Sequence, residues 1–231
     1  SRCYIPGKLK DNPYLPAEYV SQLMALDPVT RAKLLDGDWD AVIGDGALFH
    51  RSWWHHLPSA PVCARKVRAW DFGATKDGDP TEGVLMGDRG PTVSPRWVIL
   101  DVVTVKAGPT EVHAAVRQTA EMDGRQVVVC IPQDPGQAGK DQAQSFQREL
   151  AGWDVRVRRP SASKVVRAGP FSSQVGARNV ALVNGPWVQG FVAQAHSFPD
   201  APHDDKIDAA ADAFATLTEP SRATTSSHFD F

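Results

Sequence analysis

The sequence predicts a mixed α/β domain, with one central sheet in which three antiparallel strands precede parallel strands and helices flank the sheet. Three strand-like segments, 66–72, 83–88 and 96–106, follow each other with only turn-rich connections, which favours an antiparallel meander. From residue 110 onward helical and strand-like patterns alternate, which is typical of a sheet covered by helices. The length of 231 residues, 42% of them apolar, allows a buried core.

The first 60 residues differ from the rest and predict a helical linker arm. They contain short helical patterns at 16–26 and 28–36. Asp27 before Pro28 and Gly37 after the second pattern are typical boundary residues of a helix. The remainder of the arm has no clear period and is interpreted as a connection that packs on a neighbour; it includes Trp39, Trp53, Trp54, His55 and His56.

The elements after the meander complete a domain that we expect to span residues 64–218. The chain ends in a Ser/Thr-rich tail, 219–231, which we expect to be flexible. Between the meander and the tail, the patterns predict helices at 110–122, 140–150, 161–178, 187–196 and 204–217 and strands at 126–131, 155–159 and 180–183.

The composition is unusual in its acidic residues, which are 21 Asp and only 6 Glu, although the net charge is −2. Asp is favoured in turns and at helix N-caps, and it is also a short oxygen ligand for hard divalent cations. The three cysteines are isolated, which argues against a disulfide framework or a zinc cluster. The sequence contains no long apolar run and opens with no signal-peptide pattern, so we expect an intracellular protein without a membrane segment.

Aspartates stand at three places that a mixed sheet could bring together. Asp71 ends the first strand, and Asp134 follows the apolar strand 126–131, where side chains leave the core on rigid backbone. On the last helix, acidic residues recur within roughly 60° of one another at about 100° per residue. Such crowded charges face water or meet a cation. Each aspartate alone is commonly a cap or turn residue; together they predict a cation site. The helix acids are Asp205, Asp208 and Asp212.

This order of elements and acids resembles the RNase H-like nuclease superfamily. Within it, four motifs are similar to the nuclease domain of the large terminase subunit of tailed bacteriophages, over about residues 64–218. The segments 5–14 and 34–39 resemble the linker between the terminase ATPase domain and its nuclease. The four motifs are VRAWDFG at 67–73, IPQDPGQAGK at 131–140, Phe198-Pro199 and HDDKIDA at 203–209.

The resemblance implies a metal-dependent endonuclease that cleaves double-stranded phage DNA during genome packaging. By position, Asp71, Asp134, Asp205 and Asp208 would be the catalytic metal ligands, with Asp204 a competitor for Asp205. Two divalent ions, Mg²⁺ or Mn²⁺, would be the cofactors. The acid at the position of Asp134 is often Glu in the superfamily, so the shorter Asp134 would need its loop to approach the metals more closely.

A local excess of basic residues indicates a path for DNA phosphates. Six basic residues and one acidic residue lie between 151 and 178. A solvated Arg-rich face is the alternative. Lys140 could contact the scissile phosphate or cap its own loop. The candidate DNA-binding residues are Lys140, Arg158, Arg159, Lys164 and Arg167.

The implied partners are those of a packaging motor in the cytoplasm of the infected bacterial host. They are double-stranded DNA, an ATPase domain in the same full-length chain, a portal protein and a small terminase subunit. Two alternatives remain open at this point. One is another RNase H-like nuclease, such as a junction resolvase; the other is a non-catalytic DNA-binding or docking module.

Overall fold

One mixed sheet of seven strands organises the part of the chain that the computed structural model describes, residues 48–73, 78–159, 162–199 and 204–219. The predicted helices at 16–26 and 28–36 and nearly all of the predicted tail lie outside the described residues. The strands are β1 (His55–Leu57), β2 (Arg65–Asp71), β3 (Thr81–Asp88), β4 (Trp97–Val105), β5 (Val128–Pro132), β6 (Val155–Arg158) and β7 (Val180–Val183).

The sheet has the predicted antiparallel meander followed by parallel strands. Its order is β1-β7-β4-β3-β2-β5-β6, with β2, β3 and β4 antiparallel and β5 and β6 added in parallel next to β2. Strand β3 begins at Thr81, two residues before the predicted start at Gly83. The predicted mixed sheet is therefore confirmed, while this boundary is corrected.

The other edge of the sheet contains a strand that the sequence did not predict. Strand β7 pairs in parallel with β4, and β1 pairs in parallel with β7. Strand β1 has no alternating pattern because it is a short edge strand held by backbone pairing. Phe49 and Trp54 are buried in the same core as the sheet. The division of the chain at residue 60 stays a prediction, but the described residues before it pack with the sheet.

Helices cover both faces of the sheet. On one face, α3, α4 and α5 enclose the larger core cluster, and on the other face α1 and α2 enclose a second cluster around Trp70 and Phe146. No helix of the described residues is long and apolar enough to cross a membrane. The helices are α1 (Pro109–Asp123), α2 (Gln137–Glu149), α3 (Lys164–Gly176), α4 (Val188–Ser197) and α5 (Asp205–Thr218).

A buried cation ties β2 to the α1 side of the sheet. Arg68 is 2% exposed and donates to both carboxylate oxygens of Asp123, at 2.8 and 2.9 Å. It also donates to the Asp101 carboxylate at 2.9 Å and to the Gly83 carbonyl at 3.1 Å. Because a buried charge is costly unless it is paired, these contacts fix the middle of β2.

We expect Asp123→Ala to lower the free energy of unfolding by about 3 kcal/mol, because it removes the bidentate partner of a buried guanidinium. The control is Asp101→Ala, whose carboxylate is 42% exposed and should contribute less than about 1 kcal/mol. Urea unfolding followed by circular dichroism measures both variants. Equal losses in the two variants would contradict this account of Arg68.

Candidate functional site

The end of β2 places Asp71 beside α5. Side chains alternate along a strand, so Asp71 shares the face of Val67 and Ala69, which pack in the same core cluster as α5. Trp70 points to the opposite face, into the cluster of α1 and α2. The predicted strand pattern therefore delivers an acidic side chain to the α5 side of the sheet.

Helix α5 is buried on its acidic face as well as on its apolar face. Asp208 is 4% exposed and Asp212 is 7% exposed. Of the two alternatives for this face, open water is therefore excluded, and Asp208 and Asp212 lie inside the fold. Small side chains permit this close approach of the helix to its neighbours. The buried small residues of α5 are Ala209, Ala210, Ala211 and Ala213.

The acids of α5 act on Asp71 electrostatically. Burial raises the pKa of Asp71 to about 8, and the carboxylates of Asp208, Asp205 and Asp212 act in the same direction, while Lys164 opposes them. Asp71 therefore lies within electrostatic range of Asp205 and Asp208, two of the other predicted ligands. Asp204 is instead the N-cap residue of α5, and its carboxylate pairs with the Lys164 ammonium.

Basic side chains from α3 compensate the buried α5 acids. Arg167 donates to the Asp208 carboxylate at 2.7 Å and lies 3.4 Å from the Asp212 carboxylate. The Lys164 ammonium lies 3.1 Å from the other Asp208 oxygen. Burial raises the pKa of Asp208, and these two cations oppose that shift. From β6, the Arg158 guanidinium lies 3.4 Å from the Asp212 carboxylate.

The predicted DNA-binding residues therefore divide into two groups. Arg158, Lys164 and Arg167 face the acids of α5, whereas Lys140 and Arg159 are exposed elsewhere on the surface. Within the described residues, no three His, Cys, Asp or Glu side chains are grouped closely enough to coordinate an ion as they stand. The carboxylates of Asp208 and Asp212 are paired with these basic side chains instead.

Glu82 is a buried acid that the sequence did not single out. It pairs with Asp71 across β2 and β3, so the two carboxyl groups are neighbours on one face. Its side chain is fully buried and accepts hydrogen bonds from the Lys206 ammonium and, at 2.7 Å, from the Thr104 hydroxyl. The predicted strand start at Gly83 left Glu82 outside the strand. A start two residues earlier would have placed it opposite Asp71.

Asp134 lies in the loop after β5, the strand that pairs in parallel with β2. It is exposed after β5 and lines a cleft with Phe72, Gly73, His113 and Gln142, on the α1 and α2 side of the sheet. Its assignment as a metal ligand stays a prediction.

Comparison with known proteins identifies relatives of this arrangement. A family model described as the terminase RNaseH-like domain matches residues 68–217. No curated protein sequence matches the chain significantly.

Solved nuclease domains of large terminases share the fold. The nuclease of thermophilic phage G20c, solved with bound zinc, is 14% identical with a TM-score of 0.54, over 73% of this chain and 97% of that chain. The same nuclease with bound magnesium is 13% identical with a TM-score of 0.53, over 73% of this chain and 96% of that chain. The gp2 nuclease domain of bacterial virus Sf6 is 9% identical with a TM-score of 0.53, over 76% of this chain and 100% of that chain. These likenesses confirm the predicted RNase H-like fold.

The raised pKa of Asp71 predicts a pH dependence of stability in chelator-treated protein. A carboxyl whose pKa is higher in the folded than in the unfolded state stabilises fully below its unfolded pKa of about 4, and this contribution is lost as the pH rises toward about 8. We expect the free energy of unfolding to fall over that interval, and to fall less in Asp71→Asn. Urea unfolding in EDTA at several pH values measures this. Parallel profiles for the two proteins would contradict it.

Proposed function

Because the chain belongs to the family of terminase RNaseH-like domains, we propose that it is a divalent-metal-dependent endonuclease that cuts double-stranded phage DNA during genome packaging. The observation that supports the proposal is the position of Asp71 at the end of β2, the strand that packs against α5, whose residues Asp205 and Asp208 raise the pKa of Asp71. The resemblance implies Asp71, Asp134, Asp205 and Asp208 as the ligand set.

The donor set fits hard divalent cations. Carboxylate oxygens are the ligands that Mg²⁺ and Mn²⁺ prefer, and the mutual repulsion at Asp71 is the kind of charge that a cation offsets. Asp71, Asp205 and Asp208 would hold the metal, with Asp134 as the predicted further ligand. When bound, two such ions supply an activated water and neutralise charge on the phosphodiester. The G20c nuclease has been solved with bound magnesium, zinc and cobalt.

The chain's own residues have separate tasks in this proposal. Asp71 lies on a strand held from both sides by β3 and β5, which makes its position rigid. Lys164 is half-exposed beside the acids, so its ammonium can reach a DNA phosphate while remaining near Asp208. Arg167 is less exposed and mainly holds Asp208 and Asp212 in place. Lys140, Arg158 and Arg159 remain candidates for contacts to phosphates.

The packaging context completes the proposal. Double-stranded DNA is the substrate. An ATPase domain of the same full-length chain would drive DNA past the nuclease, and a portal protein and a small terminase subunit would be further partners. The host cytoplasm is the compartment in which such a motor works.

Plasmid nicking tests the activity. We expect the protein to nick supercoiled plasmid with Mg²⁺ or Mn²⁺ and to lose this activity in EDTA. Loss of a residue that only hydrogen-bonds a metal ligand already lowers activity by about 10–100-fold. Since Asp71 is itself a proposed ligand, Asp71→Asn should reduce nicking by more than about 100-fold. Asp141→Asn, the same change at an exposed carboxylate of α2, is the control and should leave nicking unchanged.

Equal nicking by wild type and Asp71→Asn would show that the proposed site is wrong. Cleavage confined to four-way junctions, with plasmid and linear duplexes intact, would favour a junction resolvase.

Two neighbouring aspartates provide a second test. Asp205→Asn should abolish nicking, because Asp205 is one of the proposed metal ligands and its charge acts on Asp71. Asp204→Asn should retain activity within about 10-fold, because the Asp204 carboxylate pairs with the partly exposed Lys164. Initial nicking rates at saturating Mn²⁺ compare the two variants. The opposite ranking would make Asp204 the ligand.

A further inference from the structure

We propose that Glu82 is a positioning residue for the metal centre: it holds the Lys206 ammonium away from Asp71 and Asp205, so that this ammonium does not compete with a divalent cation for their oxygens. This inference rests on the proposed function, since it concerns the same metal centre. It assigns a task to a buried ion pair that the nuclease chemistry itself does not require.

Three side chains form a row across β2, β3 and β4. Asp71 pairs with Glu82, and Glu82 pairs with Thr104, so all three side chains project from the same face of the sheet. The Lys206 ammonium joins this row from α5 by donating to Glu82. The ammonium is therefore bound one strand away from Asp71.

The first turn of α5 is held by contacts to Lys206. The Asp204 side chain makes no capping hydrogen bond there. Instead, Gln194 of α4 accepts the backbone N–H of Lys206 at 2.8 Å, which satisfies one of the free donors of a helix start. Lys206 is thus held by its backbone and by its side chain. Because Asp205 precedes Lys206 directly, these two contacts also fix where Asp205 lies.

The ion pair of Glu82 and Lys206 is not explained by its contribution to the stability of the fold. The Glu82 side chain has no exposed surface and the Lys206 side chain is 15% exposed. A buried ion pair stabilises a fold little better than apolar side chains of the same size would, so stability alone gives no reason for the pair. Orientation of a charge does give a reason. The neighbouring acids are Asp71, the cross-strand partner of Glu82, and Asp205, the residue before Lys206, whose charge acts on Glu82.

Removal of the Glu82 charge therefore has a specific consequence. The Lys206 ammonium would remain at the first turn of α5, and Asp205 and Asp71 would be the acids left to neutralise it. A cation attached to the protein would then compete with Mn²⁺ for the same oxygens. Replacing Lys206 with an uncharged residue would then restore the metal affinity.

Isothermal titration with Mn²⁺ on the whole chain tests this without relying on activity. We expect Glu82→Gln to weaken Mn²⁺ binding by about 10–100-fold, the usual effect of losing an outer partner of a metal site. The double variant Glu82→Gln/Lys206→Met should recover affinity to within about 3-fold of wild type. The control double variant, Glu82→Gln/Lys106→Met, removes an exposed lysine after β4 and has the same net charge, but should not recover.

The outcomes separate this inference from the proposed function. A wild type that binds no Mn²⁺ overturns the metal centre and this inference with it. Binding by wild type and Glu82→Gln with equal affinity overturns only the inference. A Glu82→Gln/Lys206→Met variant as weak as Glu82→Gln shows that Glu82 acts other than by restraining Lys206. Circular dichroism checks that each variant folds. If Glu82→Gln alone does not fold, the Mn²⁺ affinity of Glu82→Gln/Lys206→Met decides: binding within about 3-fold of wild type supports the inference, and weaker binding overturns it.

Discussion

The compensation of buried acidic charge on α5 is the constraint on which the rest of the structure depends. Asp208 and Asp212 lie almost fully inside the fold, next to the half-buried Asp71, and buried charges are stable only when they are paired. Lys164 and Arg167 at the start of α3 provide that pairing. The position of α3 is therefore tied to that of α5. The same acids that make the site costly to bury make it suited to a divalent cation.

The sheet separates two charge systems that use the same strand. Arg68 of β2 faces α1 and is neutralised by Asp123, while Asp71, three residues later, faces α5. Alternation along β2 thus lets one strand anchor one layer and present a functional acid to the other. The pair of Glu82 and Lys206 extends the α5 system onto β3. A metal site built on such elements is more rigid than one built on loops, because each carboxylate is held by strand pairing or by helix packing.

Sequence patterns predicted the features that depend on local periodicity. The meander and the alternation of helices and strands followed from strand periods and helical spacing. The ligand set of Asp71, Asp134, Asp205 and Asp208 came from the resemblance and stays a prediction. Strand β1 could not be predicted, because its three residues carry no alternating pattern and depend on pairing with β7. Glu82 was missed because a strand start is set by partner pairing, and an error of two residues hid its position opposite Asp71. The burial of the acidic face of α5 depends on Arg167 and Lys164, which are distant in sequence.

We propose that Asp71, Asp205 and Asp208 form one divalent-metal centre. A crystal structure of the protein with Mn²⁺, with data collected at a wavelength at which manganese scatters anomalously, would locate the bound ions. We expect anomalous peaks in contact with the carboxylates of Asp71, Asp205 and Asp208, and Lys206 still bound to Glu82. Manganese bound only at other carboxylates, with none in contact with Asp71, would show that this centre is wrong.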